Sequence, residues 1–205
     1  MGRAAHEDRR GRGVELSVSK VIYSFSVSLD GFMESRDRKL DWVLVDEELH
    51  RFFNDEAREV GTFVYGRRLY ELMVDFWPTA DSDPSLPGYM ADFARIWREK
   101  PKVVFSKTLK KVEWNSRLAA DGLAEEIARM KADPGGDIAI GGANLAAAAI
   151  ELDLVDEYRV SINPVVLGAG TPFFPRLDSS IRLRLIESRT FGSGVVNLRY
   201  ERSRP

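Results

Sequence analysis

One unit recurs along this chain: a short run of β-branched and aromatic residues, a break at glycine or a small polar residue, then apolar positions at helical spacing. Val21-Ile22-Tyr23-Ser24-Phe25-Ser26-Val27-Ser28-Leu29 opens the series and stops at Asp30-Gly31. Residues 62–65 run into Gly66-Arg67-Arg68, residues 102–105 into Ser106-Lys107, and residues 137–140 into Gly141-Gly142. Between these runs, Leu49, Phe52, Phe53, Ala57 and Val60 make a helical stripe after Asp46, with Glu47 and Glu48 in the first turn, where the helix dipole favours them. Further helices are expected through Met73, from Tyr89 to about Glu99, after a capping Asp121, and around Ala146. The proline-rich segment 78–88 reads as a loop. Strands separated by helices long enough to cross back form a parallel sheet, and the nearly unbroken first run predicts a central strand covered on both faces.

The last fifth changes period. Tyr158, Val160 and Ile162 alternate with Arg159 and Ser161 until Pro164. Ile181, Leu183 and Leu185 alternate with arginines, and after Gly192-Ser193-Gly194 so do Val196, Leu198 and Tyr200 with their polar neighbours, which reads as an antiparallel hairpin. The expected architecture is α/β: a mixed, mostly parallel sheet extended by that hairpin, with helices on both faces. It forms one domain over 19–205 behind a flexible Gly- and Arg-rich leader over 1–18.

Composition narrows the chemistry. Thirty Lys and Arg against 32 Asp and Glu leave a net charge of -2, so no overall pull toward nucleic acid or anionic lipid exists. Cysteine is absent, which removes disulfides, thiolate metal sites and a cysteine nucleophile. With only His6 and His50, neither a Ser-His-Asp triad nor a multi-histidine metal centre has raw material, so no metal is expected. Residues 143–152, the longest apolar stretch, are interrupted by Asn144 and Glu151 and fall short of a membrane span; a cytoplasmic protein is the default. An enzyme of this composition would carry its chemistry on a bound cofactor.

The strand ends supply candidates for holding one. Gly141-Gly142-Ala143-Asn144-Leu145 joins a strand to a helix, where backbone N–H groups converge and glycine admits a phosphate; a plain tight turn explains the same residues. Arg67 and Arg68 stand at another helix start, a poor place for cations unless an anion binds, although first-turn arginines are often merely solvated. Ser106 and Lys107 end a third strand, and Asp30 ends the first at the same carboxyl edge, where ligands of open α/β sheets collect. Trp42 paves a pocket or covers core. Residues 163–170 contain Gly-x-Gly without a third glycine, so the Rossmann fingerprint fails there.

The order of these motifs, from Ser28-Leu29-Asp30-Gly31 through Gly66-Arg67-Arg68, Ser106-Lys107 and Gly141-Gly142 to the segment 164–174, resembles the dihydrofolate-reductase-like superfamily. Within it the chain is most similar to the C-terminal reductase domain of the riboflavin-biosynthesis deaminase/reductase and its stand-alone relatives, over about residues 19–201. The resemblance implies a sheet of about eight strands binding NADPH across its carboxyl edge. Gly66, Arg67 and Arg68 would meet the pyrophosphate and 2′-phosphate, with Leu69 standing where such reductases often carry Thr. Ser106 and Lys107 would meet the adenosine end, Gly141, Gly142, Ala143, Asn144 and Leu145 the pyrophosphate, and Ser28 and Gly31 the nicotinamide.

It further implies a reductase of a small heterocyclic or carbonyl substrate, with Asp30 or a water it orients supplying the proton and Trp42 and Asp46 near the substrate. The acidic residue with which folate reductases hold pterin has no clear match among Asp46, Glu47 and His50. A non-catalytic nucleotide-binding protein on the same fold is the competing expectation. A homodimer, with Val195 on an interface, and a cis Gly141–Gly142 peptide complete the expectations.

Overall fold

The computed structural model describes residues 19–133 and 135–204, so the leader and its His6 lie outside the described residues. The described residues form ten strands and five helices, of which seven strands and all five helices follow the order expected from the sequence. They are β1 (Val21–Ser28), β2 (Phe32–Ser35), α1 (Glu47–Glu59), β3 (Val60–Gly66), α2 (Arg67–Phe76), α3 (Gly88–Glu99), β4 (Lys102–Phe105), β5 (Ser116–Leu118), α4 (Leu123–Ala132), β6 (Asp137–Gly141), α5 (Ala143–Glu151), β7 (Glu157–Asn163), β8 (Gly170–Pro172), β9 (Leu183–Thr190) and β10 (Val196–Arg202). Eight strands form one sheet in the order β5-β4-β3-β6-β1-β7-β10-β9. The pairs from β5 through β7 are parallel, whereas β10 runs antiparallel to both β7 and β9. The mixed sheet with its antiparallel C-terminal hairpin is the architecture the sequence predicts.

Each face of the sheet has its own layer. Val21, Tyr23, Ile138, Ile140 and Val64 pack with Ala146, Ala149 and Ile150 of α5 and Ile127 of α4. On the opposite face, Phe63, Tyr65 and Val104 pack with Ala57 of α1, Tyr70 of α2 and Trp97 of α3. Strand alternation explains the division, since neighbouring positions on β3 point to opposite faces. Asp46, expected within the first turn, is the N-cap of α1 and accepts the Leu49 N–H at 2.8 Å.

Several local expectations need correction. Gly122, not Asp121, occupies the N-cap of α4 and has no side chain to cap it, while the Asp121 carboxylate is paired with Arg129. Segment 78–88 is not all loop: residues Trp77–Ser82 form a 3-10 turn, which proline tolerates at its first positions. Val195 is fully buried against Leu49 and Phe191, so it seats the hairpin on α1 and is not on an outer surface. The Gly141–Gly142 peptide is trans, as are all peptides among the described residues; Gly142 turns the chain by adopting φ +100°, ψ 129°. Strands β2, β5 and β8 were not expected at all.

Glu126 gives the fold a pH dependence. It is fully buried and receives both Arg117 guanidinium nitrogens, at 3.1 and 2.6 Å, and the Ala120 N–H at 2.8 Å. The Arg117 bonds, against the cost of burial and with help from Ala120, hold its carboxyl down from 4.5 to about 2. A group depressed on folding contributes fully above its unfolded value and loses that contribution as pH falls through the folded one. Urea unfolding is therefore expected to show stability falling between pH about 4.5 and about 2, with Glu126→Gln less stable at neutral pH and flatter across that acid window.

Candidate functional site

Strands β3 and β6 are parallel neighbours, yet the helices that follow them leave on opposite faces, α2 beside Phe63 and Tyr65 and α5 beside Ile138 and Ile140. Such a reversal opens a crevice at the carboxyl edge. Gly66 and Gly142 are the N-cap residues of α2 and α5, and neither helix start has a side-chain cap. The first N–H groups of both helices are left for a ligand to satisfy.

The two turns touch, and glycine is what allows it. A Cβ on Gly141 would lie 2.4 Å from Leu69 Cδ2 and 3.0 Å from Tyr65 Cδ1, and one on Gly142 would lie 3.8 Å from the Gly66 nitrogen. Leu69 therefore packs its side chain against the Gly-Gly turn and offers the crevice only its backbone. Gly66 lies beside Leu145, Ala143 opens α5, and Asn144 is exposed at its first turn.

Cations ring the crevice. Arg67 is exposed and pairs with Glu71 one turn on, at 3.0 Å. Arg68 reaches the short β2–β8 ribbon, where its two terminal nitrogens hold the two oxygens of Glu34 at 2.9 and 2.7 Å. Thr171 of β8 adds a hydroxyl donor to Glu34 at 2.6 Å. The Arg68 bonds, opposed by partial burial and helped by Thr171, keep the Glu34 carboxyl below its ordinary range. The pair is two-pronged, with the Glu34 side chain 14% and the Arg68 side chain 48% exposed, so Arg68 remains open to an incoming phosphate that can offer the same fork geometry. Ser106 accepts the Thr108 and Leu109 N–H groups at 3.1 and 2.9 Å, shaping the turn that carries exposed Lys107, which has no ion pair among the described residues.

On the other side of β6, β1 runs several residues further, to Ser28. The Ser28 hydroxyl is buried, donates to Asp30 at 2.6 Å and accepts the Phe32 N–H at 3.0 Å across the Gly31 turn, where φ is +86°. Asp30 also accepts the Leu167 and Gly168 N–H groups at 3.1 and 2.7 Å. The Ser28 bond first, then these two, lower its carboxyl below the usual range, so at neutral pH Asp30 is an anion that clamps the 164–170 loop to β1.

Beneath this edge, between α1 and the sheet, lies a cavity of about 390 Å³. Ser24, Ser26 and Ala139 form its floor, Phe53, Ala57 and Glu56 of α1 its roof, and Met33, Val43, Phe63 and Phe93 its walls; Arg159 reaches one end. Ser26 and Ala139 stand two positions down their strands from Ser28 and Gly141, and Ser24 four, all on the same face, so cavity and crevice adjoin. Trp42 and Asp46 are not on its wall: the Trp42 indole donates to the Lys39 carbonyl at 3.1 Å, and Asp46 is occupied in capping α1.

Sequence reasoning missed Glu34, Thr171, Ser24, Ser26, Glu56 and Arg159. One signal was available for the cavity: Ser24, Ser26 and Ser28 alternate within an otherwise apolar strand. Their partners across the ladder to β7, Arg159, Ser161 and Asn163, are polar and buried.

This arrangement, a switch-point crevice led by glycines and bordered by cations on an eight-stranded mixed sheet, is that of the dihydrofolate-reductase-like class. The family model described as RibD C-terminal domain matches residues 19–197, and the chain belongs to that family. YyaP of Bacillus subtilis (strain 168), described as uncharacterized, is 35% identical over 186 residues, covering 90% of this chain and 96% of YyaP. The crystal structure of a putative riboflavin biosynthesis protein from Shewanella sp. PV-4 superimposes with a TM-score of 0.72 at 26% identity, covering 90% of this chain and 99% of that one. Dihydrofolate reductase from Enterococcus faecalis, complexed with NADP(H), shares the fold with a TM-score of 0.60 at 17% identity, over 90% of this chain and 97% of its own.

The crevice depends on Gly142, whose φ of +100° an L side chain adopts only with strain. Gly142→Ala is expected to lower unfolding free energy by about 1–3 kcal/mol, measured by chemical denaturation at neutral pH.

Proposed function

We propose that this chain is an NADPH-dependent reductase that transfers a hydride to a small heterocyclic or carbonyl substrate seated in the cavity beneath α1. The observation that carries the reading is the contact between two uncapped, glycine-led helix starts beside a cavity of ligand size. The residues present fit the cofactor: α2 and α5 offer a pyrophosphate two helix starts without side-chain caps, and the cap residues Gly66 and Gly142 put no side chain in its way.

Once bound, the dinucleotide supplies the hydride from its nicotinamide. Arg67, Arg68 and Lys107 stand ready for the additional 2′-phosphate, Arg68 by leaving Glu34. Ser28 and the Gly31 turn hold the end of β1 where it borders the cavity, and Asp30, held ionised, orients water toward the substrate and does not donate its own proton. The protein's contribution is chiefly positioning and electrostatics.

We further propose that the chain is a homodimer. Strand β9 is an uncovered sheet edge on which Leu185 and Ile186 are exposed, an arrangement that invites pairing with a second copy. Light scattering is expected to return about twice the 23.1 kDa chain mass; a monomer mass removes the dimer.

Cofactor choice is tested by fluorescence titration with NADPH and NADH. Arg67→Glu is expected to weaken NADPH by roughly 10- to 100-fold, the equivalent of losing a charge-assisted hydrogen bond, while NADH changes little. Unchanged preference for NADPH in that variant would place the 2′-phosphate elsewhere. Oxidation of the bound cofactor is then measured against pterins, pyrimidines, flavins and quinones. Tight NADPH binding with no turnover on any of them would favour a nucleotide-binding protein over a reductase.

A further inference from the structure

Arg68 is the cation of the crevice that already has a partner on a distant part of the chain. Its two terminal nitrogens hold Glu34 Oε1 and Oε2 at 2.9 and 2.7 Å, and Thr171 donates to Oε1 at 2.6 Å. Arg67 pairs only within its own helix, and Lys107 has no ion pair among the described residues. Among the described residues, Glu34–Arg68 is therefore the one ion pair that joins the start of α2 to the β2–β8 ribbon.

A second cation stands on the ribbon side. Strand β2 runs into a tight turn in which the Ser35 carbonyl accepts the Arg38 N–H at 2.9 Å and Ser35 Oγ accepts the Lys39 N–H at 3.0 Å. Asp37 in that turn accepts the Ser35 hydroxyl at 2.7 Å and pairs with Lys39 at 3.1 Å. Arg38 is left exposed, with no ion pair among the described residues. Besides the Arg68 bonds, partial burial, Thr171 and the charge of Arg68, the charge of Arg38 acts on the Glu34 carboxyl. Glu34 thus has one cation in hand and another, uncommitted, close by.

A phosphate at the crevice and the Glu34 carboxylate make competing demands on one guanidinium. Both suit the same pair of terminal N–H groups, and two anions side by side on that fork repel. A carboxylate that gives up such a partner needs water or another cation to replace it. Arg38 supplies the cation.

We propose that Glu34 is a two-position latch: it holds Arg68 in the free chain and passes to Arg38 when a phosphate takes Arg68. The latch rests on the reading of the crevice as a phosphate site. Phosphate binding then unties α2 from the ribbon, and Glu34 and Arg38 set the strength of binding without touching the ligand.

The test is calorimetric titration of the full chain with adenosine 2′,5′-bisphosphate, with adenosine as the phosphate-free control. Four proteins are compared: the parent chain, Glu34→Gln, Arg38→Ala and the double variant, each checked for folding by thermal unfolding. Glu34→Gln, which keeps an acceptor for Thr171 but no charge for Arg68, is expected to tighten the bisphosphate about 3- to 5-fold, the size of an exposed ion pair. Arg38→Ala is expected to weaken it by about the same factor in the parent chain and to change it less than about 1.5-fold beside Glu34→Gln, where no carboxylate remains to be handed over. Adenosine is expected to respond to neither substitution. Hydrogen exchange on the parent chain needs no variant: the bisphosphate is expected to speed exchange of the ribbon amides at residues 34–35 and 170–171.

Equal binding by the parent chain and Glu34→Gln overturns the latch. So does an Arg38→Ala loss that persists in the double variant, which would place Arg38 on the ligand itself, and so does ribbon exchange that is unchanged or slowed. Each of these failures leaves bisphosphate binding, and with it the crevice, intact. Bisphosphate that binds none of the four proteins overturns latch and crevice together. Latch behaviour in a chain that oxidises bound NADPH on no acceptor supports the latch and sinks the reductase.

Discussion

Two neighbouring parallel strands send their helices to opposite faces, and nearly everything at the carboxyl edge depends on the contact this forces between their turns. At the closest approach of α2 and α5, Gly141 is the position hemmed in by side chains, those of Leu69 and Tyr65, and Gly142 is the one whose φ of +100° favours glycine; a Cβ on Gly66 would lie at an ordinary 3.8 Å from Leu145 Cβ. The contact aligns two positive helix ends and leaves their first N–H groups without caps. A favourable anion contact at a helix start is worth about 0.3–1 kcal/mol at an exposed position. Two starts together with three neighbouring cations make a site in which no single contact has to be strong.

The same edge is bounded by a ribbon made of distant pieces of chain. Glu34 on β2 and Thr171 on β8 meet only because those strands pair, and together they hold Arg68. Gly170 belongs to this arrangement, since a Cβ there would lie 1.9 Å from the Glu34 carbonyl oxygen. The ribbon thus holds one half-exposed cation beside the crevice. Arg68 is thereby tied to the ribbon, and Ser28 and Asp30 tie the end of β1 to the loop after β7.

A second constraint runs beneath the first. Half of one sheet face carries buried polar residues where a core would ordinarily be apolar: Ser161 bonds Asn197 at 2.9 Å, Asn163 accepts the Leu44 N–H at 2.8 Å, and Arg159 and Arg199 share Glu157. Removing one member of such an ion cluster leaves a buried charge uncompensated, at a typical cost of about 3–5 kcal/mol. The network therefore fixes the register of β7 and β10 and the neutral charge at the end of the cavity.

Much of this was legible in the residues themselves. The first strand, the stripe and cap of α1, the Gly-Gly start of α5 and the C-terminal hairpin rest on local propensity and periodicity, which act within a few residues of chain. So do the positions of Gly66, Arg67, Ser106 and Gly141 at strand ends. The alternation over 158–162 was read correctly as a strand but left its polar face unassigned, and burial of Arg159 at that face depends on α1, about a hundred residues away. β2 and β8 are three or four residues long and pair across more than 130 positions, too short for periodicity to reveal. The peptide at Gly141 is trans because a positive φ at Gly142 turns the chain without isomerisation. By itself the sequence determined where strands end and which strand ends carry glycine and positive charge. Only tertiary structure decided which of those ends touch, which arginines are already paired and where an open cavity remains, because those outcomes depend on contacts between residues that no local pattern brings together.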